Sequence, residues 1–214
     1  MDTLTIQQVL DAKLDDWRKL AQGLHAHFDT GDFATGLDLV NAIGAAAEEA
    51  NHHPDVTLTY PSVDIKLISH DAGGLTHRDI DMARTISKLA ADRGVKADPA
   101  VPQAFELALD TADKAKVAPF WAALLTGDAS NVDGDDIVDP SGQVPLFWLQ
   151  DREPGDTPPQ RFHIDLWVPH DVADQRIKAA LDAGGTLVTD DPAPAFTVLA
   201  DPEGNKACIC TAIR

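Results

Sequence analysis

Hydrophobic positions change period several times along this chain, and each change marks an element. Ile6, Val9, Leu10 and Leu14 recur at spacings of three and four, which predicts an amphipathic helix between residues 5 and 15. Trp17, Leu20, Leu24 and Phe28 suit a helix or a strand. Gly23 weakens the helical alternative, so a short hairpin is expected. Asp29-Thr30-Gly31-Asp32 is a turn carrying a helix-capping acid. Phe33, Leu37, Leu39, Val40, Ile43 and Ala47 then form one helical face, and the helix ends near Asn51, because Pro54 disfavours helical geometry in the residue before it. From there the period falls to two. Val56, Leu58 and Tyr60 alternate, as do Val63, Ile65 and Leu67, giving two strands joined at Pro61-Ser62. Asp71-Ala72-Gly73-Gly74 is a loop, and Thr76 caps a helix through Ile80, Ala83, Ile86, Leu89 and Ala90 that Gly94 stops.

Residues 94–102 hold two prolines and no periodicity, and predict a linker between a first domain, 1–93, and a second, 103–214. In the second, the order of elements repeats. A strand at 105–110 leads to a helix at 112–125, and a strand at 162–168 leads to a helix at 172–183. Short strands follow each helix: 132–138 and 144–150 in the first copy, 186–188, 196–200 and 206–212 in the second. The pattern is that of a duplicated βαβββ unit.

Composition narrows the function classes. Hydrophobic residues make up 44% and charged residues 24% of 214, an ordinary globular balance. Seventeen Lys and Arg against 35 Asp and Glu give a net charge of −18 with no basic cluster, which disfavours a nucleic-acid partner. No apolar run approaches the ~18 residues that span a bilayer, and Met1–Thr5 does not begin a secretory signal. Cys208 and Cys210, two apart, would point the same way on one strand without disulfide geometry, so a reduced, cytoplasmic protein is expected.

Candidate chemistry gathers around Glu48, His52-His53-Pro54, His70 and Asp79. Glu48 and His52 are four apart and share the last face of their helix. His52 and His53 are adjacent where helix gives way to strand, so their rings can serve different roles. His70 ends the second strand, and Asp79 lies in the first turn of the next helix. Imidazoles beside an acid suit proton transfer near neutral pH, or a metal site. Each residue also has a structural reading: His52 as a helix C-terminal histidine, His70 as a strand-end surface group, Asp79 as a helix-dipole partner. Of the other histidines, His25 and His27 lie on one side of a strand and are expected at the surface, as is His77, while His170 precedes a helix.

The spacing Glu48, His52-His53-Pro54, Tyr60, His70, Asp79 resembles the signature of the pterin-4a-carbinolamine dehydratases, also called 4a-hydroxytetrahydrobiopterin dehydratases. Ser69-His70-Asp71-Ala72-Gly73-Gly74-Leu75-Thr76 is similar to that family's Thr-His-x-x-x-Gly-Leu-Thr segment, with Ser in place of Thr, and the likeness spans about residues 5–92. It implies an α+β domain, a four-stranded antiparallel sheet with helices on one face. It implies a hydro-lyase that removes water from a 4a-hydroxytetrahydropterin, with His52, His53 and His70 catalytic, Glu48 and Asp79 supporting, and Tyr60 and Asp71 binding substrate. No cofactor and no metal is implied; the partner is a small-molecule pterin, and a homo-oligomer is expected.

Phe120–Gly127, Arg161–Leu166 and the turn Asp201-Pro202-Glu203-Gly204-Asn205 resemble a glyoxalase-like domain of the vicinal-oxygen-chelate superfamily, built from paired βαβββ units, over about 103–213. Metal-using members place ligands on first and last strands. Here those positions fall on Glu106, His163, Cys208 and a residue near Gln150, a set that suits a hard divalent ion badly. Two other functions remain open at this point: a metal-dependent lyase or dioxygenase in the second domain, and a non-catalytic binding or dimerisation module.

Overall fold

A computed structural model describes residues 2–154, 161–200, 204 and 206–213. They form two compact units, one composed mainly of residues up to Gln103, the other mainly of Ala104–Val168 and Ala173–Ala212. Among the described residues no helix is long and apolar enough to cross a membrane.

The first unit runs α1 (Ile6–Asp11), β1 (Arg18–Leu20), β2 (Gly23–Asp29), α2 (Phe33–Ala50), β3 (Asp55–Leu58), β4 (Ser62–Leu67), a 3-10 turn (His70–Ala72), α3 (His77–Ala91) and β5 (Lys96–Ala97). α1 is shorter than its periodicity predicts. A Thr5–Gln8 capping box starts it, and Lys13 at φ 50° breaks it, so Leu14 reaches the core from a turn. The ambiguous stretch after Trp17 is the β1–β2 hairpin, and the antiparallel sheet has the order β1-β2-β4-β3.

The sheet has five strands rather than four. Lys96–Ala97, inside the stretch that reads as a linker, pairs antiparallel with Asp29 and Phe28 of β2, and Val95 is buried in the same core. A two-residue strand beside Pro99 has no period to betray it. α2 and α3 cover one face. Leu24, Ala26 and Phe28 of β2 and Val63, Ile65 and Leu67 of β4 meet Leu39, Ile43 and Ala47 of α2 and Ile80, Ala83, Ile86 and Ala90 of α3. The alternate residues, His25, His27, Asp64 and Lys66, point to the other face, where His27 Nδ1 lies 2.7 Å from Asp64 Oδ1.

The second unit runs β6 (Ala104–Thr111), α4 (Lys114–Thr126), β7 (Val132–Asp133), β8 (Asp136–Ile137), β9 (Leu146–Asp151), then β10 (Phe162–Trp167), α5 (Ala173–Asp182), β11 (Thr186–Thr189), β12 (Phe196–Ala200) and β13 (Lys206–Cys210). Each copy is βαβββ. The stretch 132–138 is a hairpin rather than one strand, turned at Gly134 with φ 60°. The sheet order β11-β12-β13-β10-β6-β9-β8-β7 joins the two copies through their first strands, β6 and β10, which are antiparallel. Of the turn that resembles the glyoxalase-like pattern, Asp201, Pro202, Glu203 and Asn205 lie outside the described residues.

His25 is half-buried rather than free at the surface. Burial, then Lys66 and Lys19, push its pKa down from 6.5 to about 4. Between those values the unfolded chain binds the proton and the folded one does not, so stability rises with pH across that window. We expect acidification from pH 7 to 4.5 to cost His25→Gln on the order of 2 kcal/mol less than it costs the parent chain. Urea unfolding followed by fluorescence of the buried Trp17 measures this, and equal losses in the two proteins would refute it.

Candidate active site

Histidines 52 and 53 owe their different fates to how α2 ends. Asp32 caps its start by accepting from Thr35 N at 2.7 Å. At the other end Asn51 takes the left-handed conformation, φ 47°, and the His52 N–H donates back to Ala47 O at 3.1 Å. This closure reverses the chain over the last helical turn. It lifts His52 off the face that Glu48 occupies and turns it inward. His52 is 7% exposed, and its Nε2 lies 2.8 Å from Asp79 Oδ1. Glu48 pairs with the other ring instead: His53 Nε2 is 3.1 Å from Glu48 Oε1, both groups at the surface. The shared Glu48–His52 face predicted by helical spacing therefore does not form, since residue 52 lies beyond the helix.

Asp79 is 0% exposed and organises what surrounds it. Its Oδ2 accepts from Ser69 Oγ and from Thr76 N, each at 2.7 Å, while its Oδ1 faces His52. Ser69 Oγ and Thr76 Oγ1 are 2.9 Å apart. Thr76 and Asp79 also form the capping box of α3, so the carboxylate that starts the helix is the one that holds the imidazole. A carboxyl group can be buried when polar partners replace its water, and three residues, His52, Ser69 and Thr76, meet it here.

The same network places the two exposed histidines. His53 directly follows His52, and His70 directly follows Ser69. Both anchors bind one carboxylate. The β3–β4 ladder pairs Asp55 with Lys66, so the start of β3 and the end of β4 lie at the same end of the hairpin. His70 is exposed and opens the 3-10 turn, its ring making no hydrogen bond among the described residues. Asp71 pairs with the Arg78 guanidinium, which holds its carboxyl below the usual value. Tyr60 is 72% exposed at the tip of the hairpin. Roughly 10 Å of strand separates it from the histidine end, so these residues are not all brought together.

In the second unit, β6 and β9 to β13 line a cavity of about 1020 Å³. His163 lies between two acceptors, Gln150 Oε1 at 2.8 Å and Asp165 Oδ1 at 3.2 Å, with Asp110 Oδ1 at 3.6 Å. Asp165, helped by Asp110, raises its pKa against the opposing effect of burial. Burial and Asp165 push the Cys208 thiol up to about 12, and burial also raises Cys210. Glu106 is turned to Trp167, whose Nε1 donates to its Oε2 at 2.9 Å.

The potential ligand atoms of His163, Asp165 and Cys208 lie within 4.8 Å of one another. One imidazole between two acceptors, one carboxylate and one protonated thiol fit a hard divalent cation badly. Asp165, Asp110 and the cavity tryptophans escaped the sequence reasoning. The signal was parity: His163, Asp165 and Trp167 are alternate residues of one strand and share a face.

Comparison with known proteins follows the same division. Residues 1–89 match the family described as Pterin 4 alpha carbinolamine dehydratase, and residues 106–210 match that described as Glyoxalase-like domain. A provisionally named pterin-4-alpha-carbinolamine dehydratase from Cyanothece sp. is 42% identical over 78 residues, 36% of this chain and 80% of that protein. Another, from Koribacter versatilis, is 38% identical over 89 residues, 41% of this chain and 95% of that protein. A crystal structure of a transcriptional coactivator/pterin dehydratase from Brucella melitensis has 31% identity and a TM-score of 0.40. It covers 42% of this chain and 99% of its own.

Removing the central carboxylate tests its structural weight. Asp79→Ala strands the His52 ring, the Ser69 hydroxyl and the Thr76 N–H without their acceptor. Roughly 3 kcal/mol of stability should be lost in urea unfolding, against about 1 kcal/mol for Ser69→Ala. Equal small losses for both variants would show that Asp79 is not the hub.

Proposed function

Because this chain belongs, through residues 1–89, to the pterin-4-alpha-carbinolamine dehydratase family, we propose that its N-terminal unit removes water from a 4a-hydroxytetrahydropterin to give the quinonoid dihydropterin. In that reaction the C4a–O bond breaks and the departing hydroxyl takes up a proton. The N5–H proton leaves, and its electron pair forms the C4a=N5 double bond. Oxidation state is unchanged, so acid–base groups supply all the chemistry that is needed.

The observation that carries this reading is the pair of exposed imidazoles, His53 and His70, each next in sequence to a residue fixed on Asp79. We assign proton exchange with the 4a-hydroxyl and N5 to these two rings. His53 is backed by Glu48, whose carboxylate can orient the ring. His52 is held by Asp79 with its Nε2 committed, and its part is to fix the pocket wall against which the pterin lies. Asp71, paired with Arg78, tethers the turn that carries His70. Tyr60, at the far end of the hairpin, stands outside the proton-transfer set.

Dehydration of a 4a-hydroxytetrahydropterin by the purified chain tests the proposal. General acid–base catalysis contributes about 10²–10⁴-fold, so His53→Ala and His70→Ala should each lower kcat by at least about 10². The double variant should fall by less than the product, because the rings act on one event. Dialysis against EDTA should leave the rate unchanged. Wild-type rates in both single variants, or a rate that disappears with chelation, would overturn the assignment.

A further inference from the structure

The cavity of the second unit has no part in the reaction just described, yet its lining is chemically specific. Three large rings, Trp148 of β9, Trp167 of β10 and Phe196 of β12, face the same space. Between them lies a polar edge. The Asp110 carboxylate opens onto the cavity, its described contact to an imidazole being a long 3.6 Å. Gln150 has its carbonyl oxygen taken by His163 Nε2 at 2.8 Å, which turns its amide N–H groups toward other acceptors. The Trp148 indole N–H is buried and has no acceptor among the described residues. A buried donor without a partner is rare in a folded protein and marks a place where something else is expected to bind. Trp148 and His163 meet edge-to-face at 5.8 Å, so the unpartnered donor and the polar edge are neighbours.

We infer that this cavity binds a flat nitrogen heterocycle with an amino-pyrimidinone edge, the ring chemistry of a pterin. Such an edge carries amino and ring N–H donors beside a carbonyl acceptor. A carboxylate accepts from the amino side, and an amide N–H and an indole N–H donate to the carbonyl. This is how proteins distinguish the edges of nucleobases. The rings supply stacking faces for the same planar molecule, as in pockets that hold an extruded base. Benzoate-like rings would fill the space between the walls and bring Asp110 no donor beyond the distant His163 ring. The volume, about 1020 Å³, accommodates a fused bicycle together with its side chain. The thiols of half-buried Cys208 and buried Cys210, whose pKa values burial raises, contribute wall rather than a nucleophile. The choice of a pterin among such heterocycles rests on the function proposed for the N-terminal unit; the binding site itself does not.

The test uses the full-length chain and biopterin, a fully oxidised pterin that dehydration cannot consume, so binding is read apart from turnover. Equilibrium dialysis is run in a His70→Ala background, with tryptophan fluorescence as the second readout. We expect saturable biopterin binding that quenches cavity tryptophan emission. It should weaken about tenfold in Asp110→Asn and about fivefold in Trp148→Phe, which keeps the ring and removes the donor. Far-UV circular dichroism confirms that both variants fold, and if Trp148→Phe does not, Asp110→Asn decides alone. Isotherms that neither substitution moves would overturn the site. Equal competition by benzoate would overturn the ligand class. Biopterin binding sensitive to Asp110, found together with a parent chain (His70 intact) that shows no dehydratase activity, would uphold this site and remove the function proposed above.

Discussion

One buried carboxylate ties together three parts of the N-terminal unit that the chain brings in at different times. Asp79 caps the helix it belongs to, receives the hydroxyl of Ser69 from the end of β4, and faces the ring of His52 from beyond the end of α2. The oxygens of an acid with no exposure must find protein donors in place of water, and here the donors come from separate elements. The arrangement is therefore cooperative. Helix α3 cannot start as it does unless the carboxylate is in place, and the carboxylate cannot be buried unless the other two elements deliver their donors. Networks of this kind specify one geometry more sharply than apolar packing does, since a half-satisfied version is worse than none.

That constraint explains why a pair of neighbouring histidines divides into unlike halves. The left-handed Asn51 and the His52–Ala47 hydrogen bond reverse the backbone in a single step, so consecutive side chains leave in opposite senses. The inward ring meets Asp79 and is fixed there. The outward ring meets Glu48 and solvent. In the function proposed above, the ring whose Nε2 is committed to the buried carboxylate is assigned the supporting part, and the accessible ring backed by a surface acid the exchange of protons.

Much of this was legible before any coordinates, and the misses share a cause. Periodicity found α2, α3 and the β2 and β4 faces because each places several apolar residues on one side of a long element. It overextended α1 and missed β5, where two or three residues settle the outcome and the deciding facts are Lys13 in the left-handed region and a short pairing to Phe28. The cluster of Glu48, His52, His53, His70 and Asp79 was visible as spacing, but its pairing was not. Helical spacing joins Glu48 to His52 only if the helix continues, and Asn51 ends it. The link from Ser69 to Asp79 lies across a loop, where sequence distance says little about direction.

The second unit shows the same limit from the opposite side. Correspondence between the two βαβββ copies singles out Glu106 and His163, the polar residues at like places on β6 and β10. Cross-strand register puts Asp165 opposite Glu106 and beside Cys208, and this decides what His163 can touch. With Glu106 drawn off by the Trp167 indole, the acid beside the imidazole comes from the imidazole's own strand, two residues along and on the same face. Repetition of elements thus predicts where a sheet carries polar groups, whereas pairing between strands decides which of them meet. A cavity built on such a sheet can keep its shape while exchanging the partners of its central histidine. Its ligand must therefore be argued from the donors and acceptors that line the space, as Asp110 and Gln150 do here.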